Sequence, residues 1–168
     1  MPLVANTDLP SFVRLRSEGE TILLREDAVR QDIRELHIGL LNMMPDRALE
    51  ATERQFFRLV GESNQIAQFY VHPFTLDEME RDAKAQIHID KFYKKFEQIK
   101  EEGLDALIIT GANVIGSELS EQAFWQPLIE VFDWAYENVT SILCSCLATH
   151  AVLQFRYGQH RRLLNRKR

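Results

Sequence analysis

Apolar and polar positions alternate along this chain in short blocks, and from Ile33 onward the blocks follow a regular order. Short apolar runs predict four strands, over 37–42, 66–71, 104–110 and 139–146. Apolar residues at three- and four-residue spacing predict four helices, over 48–60, 90–100, 121–137 and 147–157. We expect Gly61 and Gly103 to end the first two helices and Pro127 to interrupt the third. This alternation predicts an α/β fold with a parallel sheet flanked by helices.

The first part of the chain lacks such a rhythm. Charged and apolar residues mix there without a clear period, so we expect an irregular N-terminal lead-in over 1–32. The α/β portion is then expected to occupy 33–168. A chain of 168 residues corresponds to one domain and is long enough to bury a core.

The stretch 141–151 predicts a buried strand that turns sharply into a helix, with Cys146 on the bend. A side chain at such a bend projects from the carboxyl end of the strand, and the N-terminus of the following helix favours a thiolate over a thiol. Cys146 is therefore the first candidate for a catalytic nucleophile. Free cysteines are also often buried as small apolar side chains, and the local pattern leaves this alternative open.

Parallel sheets place their active sites at the carboxyl ends of their strands. Three predicted strand ends, 42–47, 110–116 and Cys146, should therefore meet at one edge. A thiolate that attacks an acyl group needs donors for the developing oxyanion, and we expect them from the backbone near Gly111 and Ala112 and from the N–H of Leu147. Taken alone, Gly111 is more simply explained as the residue that ends a strand.

Charge and composition narrow the choice of partners. The net charge is −5, and every charged residue from Arg156 onward is basic, so the rest of the chain is strongly acidic and disfavours nucleic acid. No apolar run approaches the roughly 20 residues that span a bilayer, and the start lacks a signal-peptide pattern, so we expect no membrane partner and a cytoplasmic location. Cys144 and Cys146 are poorly spaced for a disulfide. Because the histidines and cysteines show no metal-ligand spacing, we expect no metal.

Several short motifs occur in the same order, and with similar gaps, as in one enzyme family. They are LNMMP (41–45), TERQF (52–56), FYKKFEQI (92–99), DALIITGA (105–112), FW (124–125), VTS (139–141) and YG (157–158). From about Ile33 to the last residue, the chain resembles the homoserine O-succinyltransferase/O-acetyltransferase family. That family has a flavodoxin-like, class I glutamine amidotransferase-like fold.

The resemblance implies a two-step acyl transfer. Cys146 matches the nucleophile that takes an acyl group from succinyl-CoA or acetyl-CoA as a thioester, and L-homoserine then accepts it in methionine biosynthesis. Arg47 falls approximately in the place of a substrate-binding lysine, and Ile115 and Gly116 fall where the family tunes its acyl pocket. Since neither is acidic, succinyl-CoA is favoured. Acyl-CoA is a substrate here, no bound cofactor is expected, and a homodimer is left open.

The chain also departs from the family. Members are longer, and their catalytic histidine and its glutamate partner lie in the second half, so 33–168 matches the N-terminal portion of an α/β acyltransferase domain. Asn113 replaces a usual proline and Leu147 a common tryptophan. His150 lies one helical turn after Cys146, and we expect their side chains to diverge.

Two other functions remain open from the sequence. A thiol hydrolase or glutaminase-like enzyme could use the same cysteine on the same fold, although glycines usually flank the cysteine there and Ser145 and Leu147 do not fit. The other alternative is a catalytically incomplete, truncated chain that serves as an interaction protein.

Overall fold

One parallel sheet organises the molecule. The computed structural model describes residues 3–64, 66–114, 116 and 118–162. The strands within those residues are β1 (Leu3–Ala5), β2 (Ile22–Leu24), β3 (Glu35–Leu41), β4 (Gln68–Phe74), β5 (Ala106–Ile109) and β6 (Ser141–Cys144). They lie in the order β2-β1-β4-β3-β5-β6, and all their pairings are parallel. The predicted α/β fold is thus confirmed.

Helices cover both faces of this sheet. Over the same part of the chain they are α1 (Pro10–Ser17), α2 (Arg25–Ala28), α3 (Asp46–Ser63), α4 (Ala83–Phe92), α5 (Phe96–Glu102), α6 (Trp125–Asn138) and α7 (Leu147–Tyr157). On one face, Phe12 of α1 and Phe57 of α3 pack with Leu40 of β3. On the other face, Leu128 of α6 belongs to a larger core that also includes residues of α5 and α7. None of the helices in the described residues is long and apolar enough to cross a bilayer.

The expectation of an irregular lead-in over 1–32 is wrong. β1 and β2 pair with each other, and Leu3 of β1 also pairs with Phe69 of β4, so this segment extends the sheet. Val4 is fully buried against Ala28 and Tyr70. Strands of three residues are too short to show a two-residue period, and their partners lie elsewhere in the chain, which explains why the local pattern did not predict them.

The single helix predicted over 90–100 is two helices in the structure. The backbone is extended between α4 and α5. There Lys94 N–H donates to the carbonyl of Pro73 at 2.9 Å, and Lys94 pairs with Phe74, the last residue of β4. Gly103 ends α5 with a φ of 77°, as predicted.

Two further helix predictions are wrong. Gly61 does not end α3, which continues to Ser63. A Cβ on Gly61 would lie 3.5 Å from the Cβ of Leu3, which is ordinary van der Waals contact, so Gly61 is the point where the helix packs against β1. Pro127 does not interrupt α6, because it is the third residue of that helix, where a backbone N–H would have no intrahelical acceptor.

Candidate active site

Cys146 lies at a strained bend between β6 and α7. Its φ of 55° is the only positive φ among the non-glycine residues that the structure describes. The bend is held on both sides: Ser145 N–H donates to the carbonyl of Ile109 at 2.8 Å, and Thr149 Oγ1 donates to the carbonyl of Cys144 at 2.9 Å. Such strain costs on the order of 1–3 kcal/mol and is concentrated at functional sites. The Cys146 side chain is exposed, which contradicts the alternative of a buried apolar cysteine.

Gly111, just beyond the end of β5, lies directly against this thiol. A Cβ added to Gly111 would lie 3.3 Å from the Sγ of Cys146 and 3.5 Å from the backbone N of Leu147. The glycine therefore permits a close approach of the backbone to the sulfur, in addition to ending the strand. Its neighbour Ala112 is half-buried.

The backbone N–H of Leu147 is also available at this position. Leu147 is the first residue of α7, so its N–H has no acceptor within the helix. The structure thus brings together Cys146, Gly111 and Leu147, three of the residues that the sequence selected. Their roles in stabilising an oxyanion stay predictions.

The segment that follows β3 borders the same edge. Residues 42–45, called the β3 strap below, are joined to the Gly111 loop because Met43 N–H donates to Thr110 Oγ1 at 2.9 Å. Arg81, whose side chain is only 3% exposed, fixes the strap from the other side. Its guanidinium donates to the carbonyls of Met44 and Asn42 at 2.6 and 3.2 Å. The three strand ends therefore meet as predicted, but the part played by Arg81 was not predicted from the sequence.

A buried polar network lies behind the strap. Glu53 of α3 is fully buried and accepts hydrogen bonds from Ser11 Oγ at 2.5 Å, Tyr93 Oη at 2.7 Å and His88 Nε2 at 2.8 Å. Tyr93 Oη also accepts from Asn42 Nδ2 at 3.0 Å, which links the network to the strap. The hydrogen bond to Glu53 raises the pKa of His88. Burial and the nearby Glu53 carboxylate raise the pKa of Tyr93 well above its ordinary value.

This network was missed at the sequence level, although one signal was present. Glu53 follows the buried Leu49 by four residues and precedes the buried Phe57 by four, so it lies within the apolar stripe of α3. A carboxylate in such a stripe requires buried donors, since an unpaired buried charge is costly. The identity of those donors could not be deduced from α3 alone.

The similarity of this chain to known proteins extends over nearly its whole length. The model of a family described as homoserine O-succinyltransferase matches residues 2–168. The chain belongs to the homoserine O-succinyltransferase family.

Relatives in this family are close in sequence. The chain is 70% identical to the homoserine O-succinyltransferase of Nitrosococcus oceani and 69% identical to that of Allochromatium vinosum, in both cases over all 168 residues and 47% of the relative. It is 68% identical over 167 residues to the homoserine O-succinyltransferase of Thiobacillus denitrificans, covering 48% of that protein. The chain therefore spans about half the length of these relatives.

The remaining residues suggested by the family resemblance are more scattered. Arg47 is exposed in the first turn of α3 and lines a pocket of about 210 Å³ together with Asp82 and His88. Cys146 is not among the described residues that line this pocket. Gly116 is exposed, with a φ of 87°, and its carbonyl accepts a hydrogen bond from Arg161 at 2.6 Å. Ile115 lies outside the described residues.

His150, one helical turn after Cys146, is exposed on α7. Within the part of the chain that the structure describes, no group of three or more His, Cys, Asp or Glu residues is arranged to hold a metal ion.

Proposed function

We propose that this chain carries the nucleophile of an acyl-CoA-dependent O-acyltransferase that acts on L-homoserine in methionine biosynthesis. The Cys146 thiolate attacks the thioester carbonyl of acyl-CoA, forms a new thioester on Sγ and releases CoA as its thiol. The γ-hydroxyl of homoserine then attacks the enzyme thioester, loses its proton to a base and leaves as O-acylhomoserine. The covalent intermediate divides one difficult transfer into two easier steps.

The strained conformation of Cys146 against Gly111 is the observation that supports this proposal most strongly. The bend exposes the sulfur, and the absent side chain of Gly111 lets the backbone lie close to the sulfur. Preorganised backbone donors are the usual means of stabilising the tetrahedral oxyanion of acyl transfer. A purely structural cysteine would require neither the exposure nor the strain.

We propose succinyl-CoA as the acyl donor. The relatives from Nitrosococcus oceani and Allochromatium vinosum are named homoserine O-succinyltransferases. Ile115 and Gly116, which resemble the family position that tunes the acyl pocket, carry no acidic side chain. The free carboxylate of a succinyl group would therefore meet no like charge from these two residues.

The first half-reaction provides the test. The chain is incubated with succinyl-CoA, and the mass of the intact protein is followed together with the release of free CoA thiol. We expect one succinyl group on Cys146, and hydroxylamine should release it because it is held as a thioester. The matched Cys144→Ser variant should form the same adduct. The absence of an adduct in the unmodified chain, or the same adduct on Cys144 in a Cys146→Ser variant, would contradict the proposal.

The second half-reaction separates the transferase from a thiol hydrolase. Because the resemblance places the catalytic base outside these residues, we expect the isolated chain to turn over poorly, and this step is measured on the chain extended to the length of its relatives. Homoserine added to the adduct of the extended chain should remove the succinyl group as O-succinylhomoserine, faster than water removes it as succinate. Equal rates of loss with and without homoserine would favour the hydrolase instead. Acetyl-CoA in the same assay measures the donor preference, and a faster reaction with acetyl-CoA would contradict the proposed donor.

A further inference from the structure

The side chain of Thr110, the residue before Gly111, lies between the backbones of Met43 and Gly111. It is 1% exposed, and its Oγ1 accepts a hydrogen bond from Met43 N–H at 2.9 Å. Because an N–H group can only donate, the proton of the hydroxyl is free for another acceptor. That acceptor is the carbonyl of Gly111, 3.0 Å from Oγ1.

This second hydrogen bond fixes more than one carbonyl. The peptide that joins Gly111 to Ala112 is planar and trans, so its C=O and N–H groups point in opposite directions. A Gly111 carbonyl held toward the Thr110 side chain therefore turns the Ala112 N–H away from it. Gly111 itself lies against the Sγ of Cys146. The hydroxyl thus fixes the direction of the Ala112 N–H, which belongs to the peptide that directly follows this contact.

We propose that Thr110 is a positioning residue, whose hydroxyl orients the Gly111–Ala112 peptide so that the Ala112 N–H stabilises the oxyanion formed when Cys146 is acylated. This inference rests on the acyl chemistry of the proposed function. Thr110 does not touch the substrate; it acts through the peptide. The β3 strap is the support for this arrangement, since Met43 N–H determines which way the hydroxyl proton is directed.

The contribution of such a donor depends on its being oriented before the reaction. Glycine has no Cβ and a wide range of backbone conformations, so a peptide that follows Gly111 can rotate when its carbonyl is released. A donor that has to reorient during the reaction loses much of its effect, and removal of one oxyanion donor lowers acyl-transfer rates by about 100- to 1000-fold. We therefore expect loss of the hydroxyl to slow acylation and to leave the intrinsic nucleophilicity of the sulfur unchanged.

The test compares two reactions of the same thiol. p-Nitrophenyl acetate acylates Cys146 through a tetrahedral oxyanion: the S–C bond forms, the C–O bond breaks and p-nitrophenolate leaves. Iodoacetamide alkylates the same sulfur by displacing iodide, and no oxyanion forms. Both rate constants are measured in a Cys144→Ser background for the parent, Thr110→Val and Thr110→Ser. Valine keeps the shape of threonine without the hydroxyl, and serine keeps the hydroxyl.

We expect the ratio of the acylation to the alkylation rate constant to fall by at least about tenfold in Thr110→Val and to stay within about threefold of the parent in Thr110→Ser. An unchanged ratio in Thr110→Val, or an equal fall in both variants, would overturn the proposal. If circular dichroism shows that Thr110→Val is unfolded, Thr110→Ala carries the same expectation. The assay needs no recognition of CoA, so failure to form a succinyl adduct would count against the proposed function and not against the role of Thr110.

Discussion

At the scale of single residues, two cysteines that are two positions apart have opposite environments. Cys146 is exposed at the bend, whereas Cys144 is half-buried at the end of β6 and packs against the core of α6 and α7. Burial raises the pKa of the Cys144 thiol. The reactive species is the thiolate, so burial lowers the reactivity of Cys144 both by shielding the sulfur and by disfavouring its ionisation.

We predict that iodoacetamide modifies Cys146 at least about tenfold faster than Cys144 at neutral pH, because the core shields Cys144 and its raised pKa lowers its thiolate fraction. Peptide mapping after limited labelling measures the two rates. Cys144→Ser should label at the parent rate, and Cys146→Ser should lose the fast phase. Preferential modification of Cys144 would remove the basis for the nucleophile assignment.

The sequence was informative about some of these residues and silent about others. The bend at Cys146 and the approach of Gly111 followed from the positions of these residues at the ends of apolar runs. The hydrogen bond between Met43 and Thr110 joins residues 67 positions apart, and no local pattern encodes it. The hydroxyl of a threonine after a strand has many potential partners, and only the sheet order selects one.

At the scale of helices and strands, an ion pair joins α3 to α4. His88 donates to the buried carboxylate of Glu53, and this hydrogen bond raises the pKa of His88. The folded protein thus holds the His88 proton more tightly than the unfolded chain does. Other charges near His88 are Glu50, which also raises its pKa, and Lys84, which lowers it. The stabilisation is full below the ordinary histidine pKa and is lost as the pH rises through the raised pKa.

We predict that His88→Gln lowers the free energy of unfolding by about 1 kcal/mol at about pH 6, because a neutral hydrogen bond replaces a charge-assisted one. The difference from the parent should shrink as the pH rises above the pKa of His88. Urea unfolding over a series of pH values measures this. The matched control is His150→Gln on the surface of α7, which should change stability by less than about 0.5 kcal/mol. A difference for His88→Gln that is constant with pH would contradict the ion pair.

The helix bounds show where sequence patterns succeed and where they fail. The bounds predicted for α7 are confirmed, because the bend at Cys146 precedes it and Gly158 ends it with a φ of 63°. The break between α4 and α5 was not predicted, because its cause is remote. Tyr93 follows α4 directly and is held by Glu53 and Asn42, which lie in other parts of the chain. Long-range hydrogen bonds of this kind override a local helical period.

At the scale of the whole molecule, β6 is an edge strand of the sheet formed by the described residues. It pairs with β5 on one side only, and Leu143 at its centre is 55% exposed. Apolar side chains on an unpaired edge strand are a template for association with another chain.

We predict that the chain self-associates through β6 and that Leu143→Lys weakens this association. Sedimentation velocity over a range of concentrations should show a shift toward the monomer, with the free energy of unfolding changed by less than about 0.5 kcal/mol because the side chain is largely exposed. Val13→Lys is the matched control, since Val13 is 69% exposed on α1, a helix that packs on the part of the sheet formed by β1, β3 and β4. Equal effects of the two variants would show that association does not depend on β6.

The position of β6 has one more consequence, which concerns the lifetime of the reactive geometry. A strand with one hydrogen-bonded neighbour opens more readily than a strand held on both sides, and such local openings occur without unfolding of the remaining sheet. Separation of β6 from β5 would move Cys146 away from Gly111, and the close approach of the backbone to the sulfur would be lost. A molecule that pairs with the free edge of β6 would keep β6 on β5 for longer. The reactivity of Cys146 would then depend on what binds this edge strand.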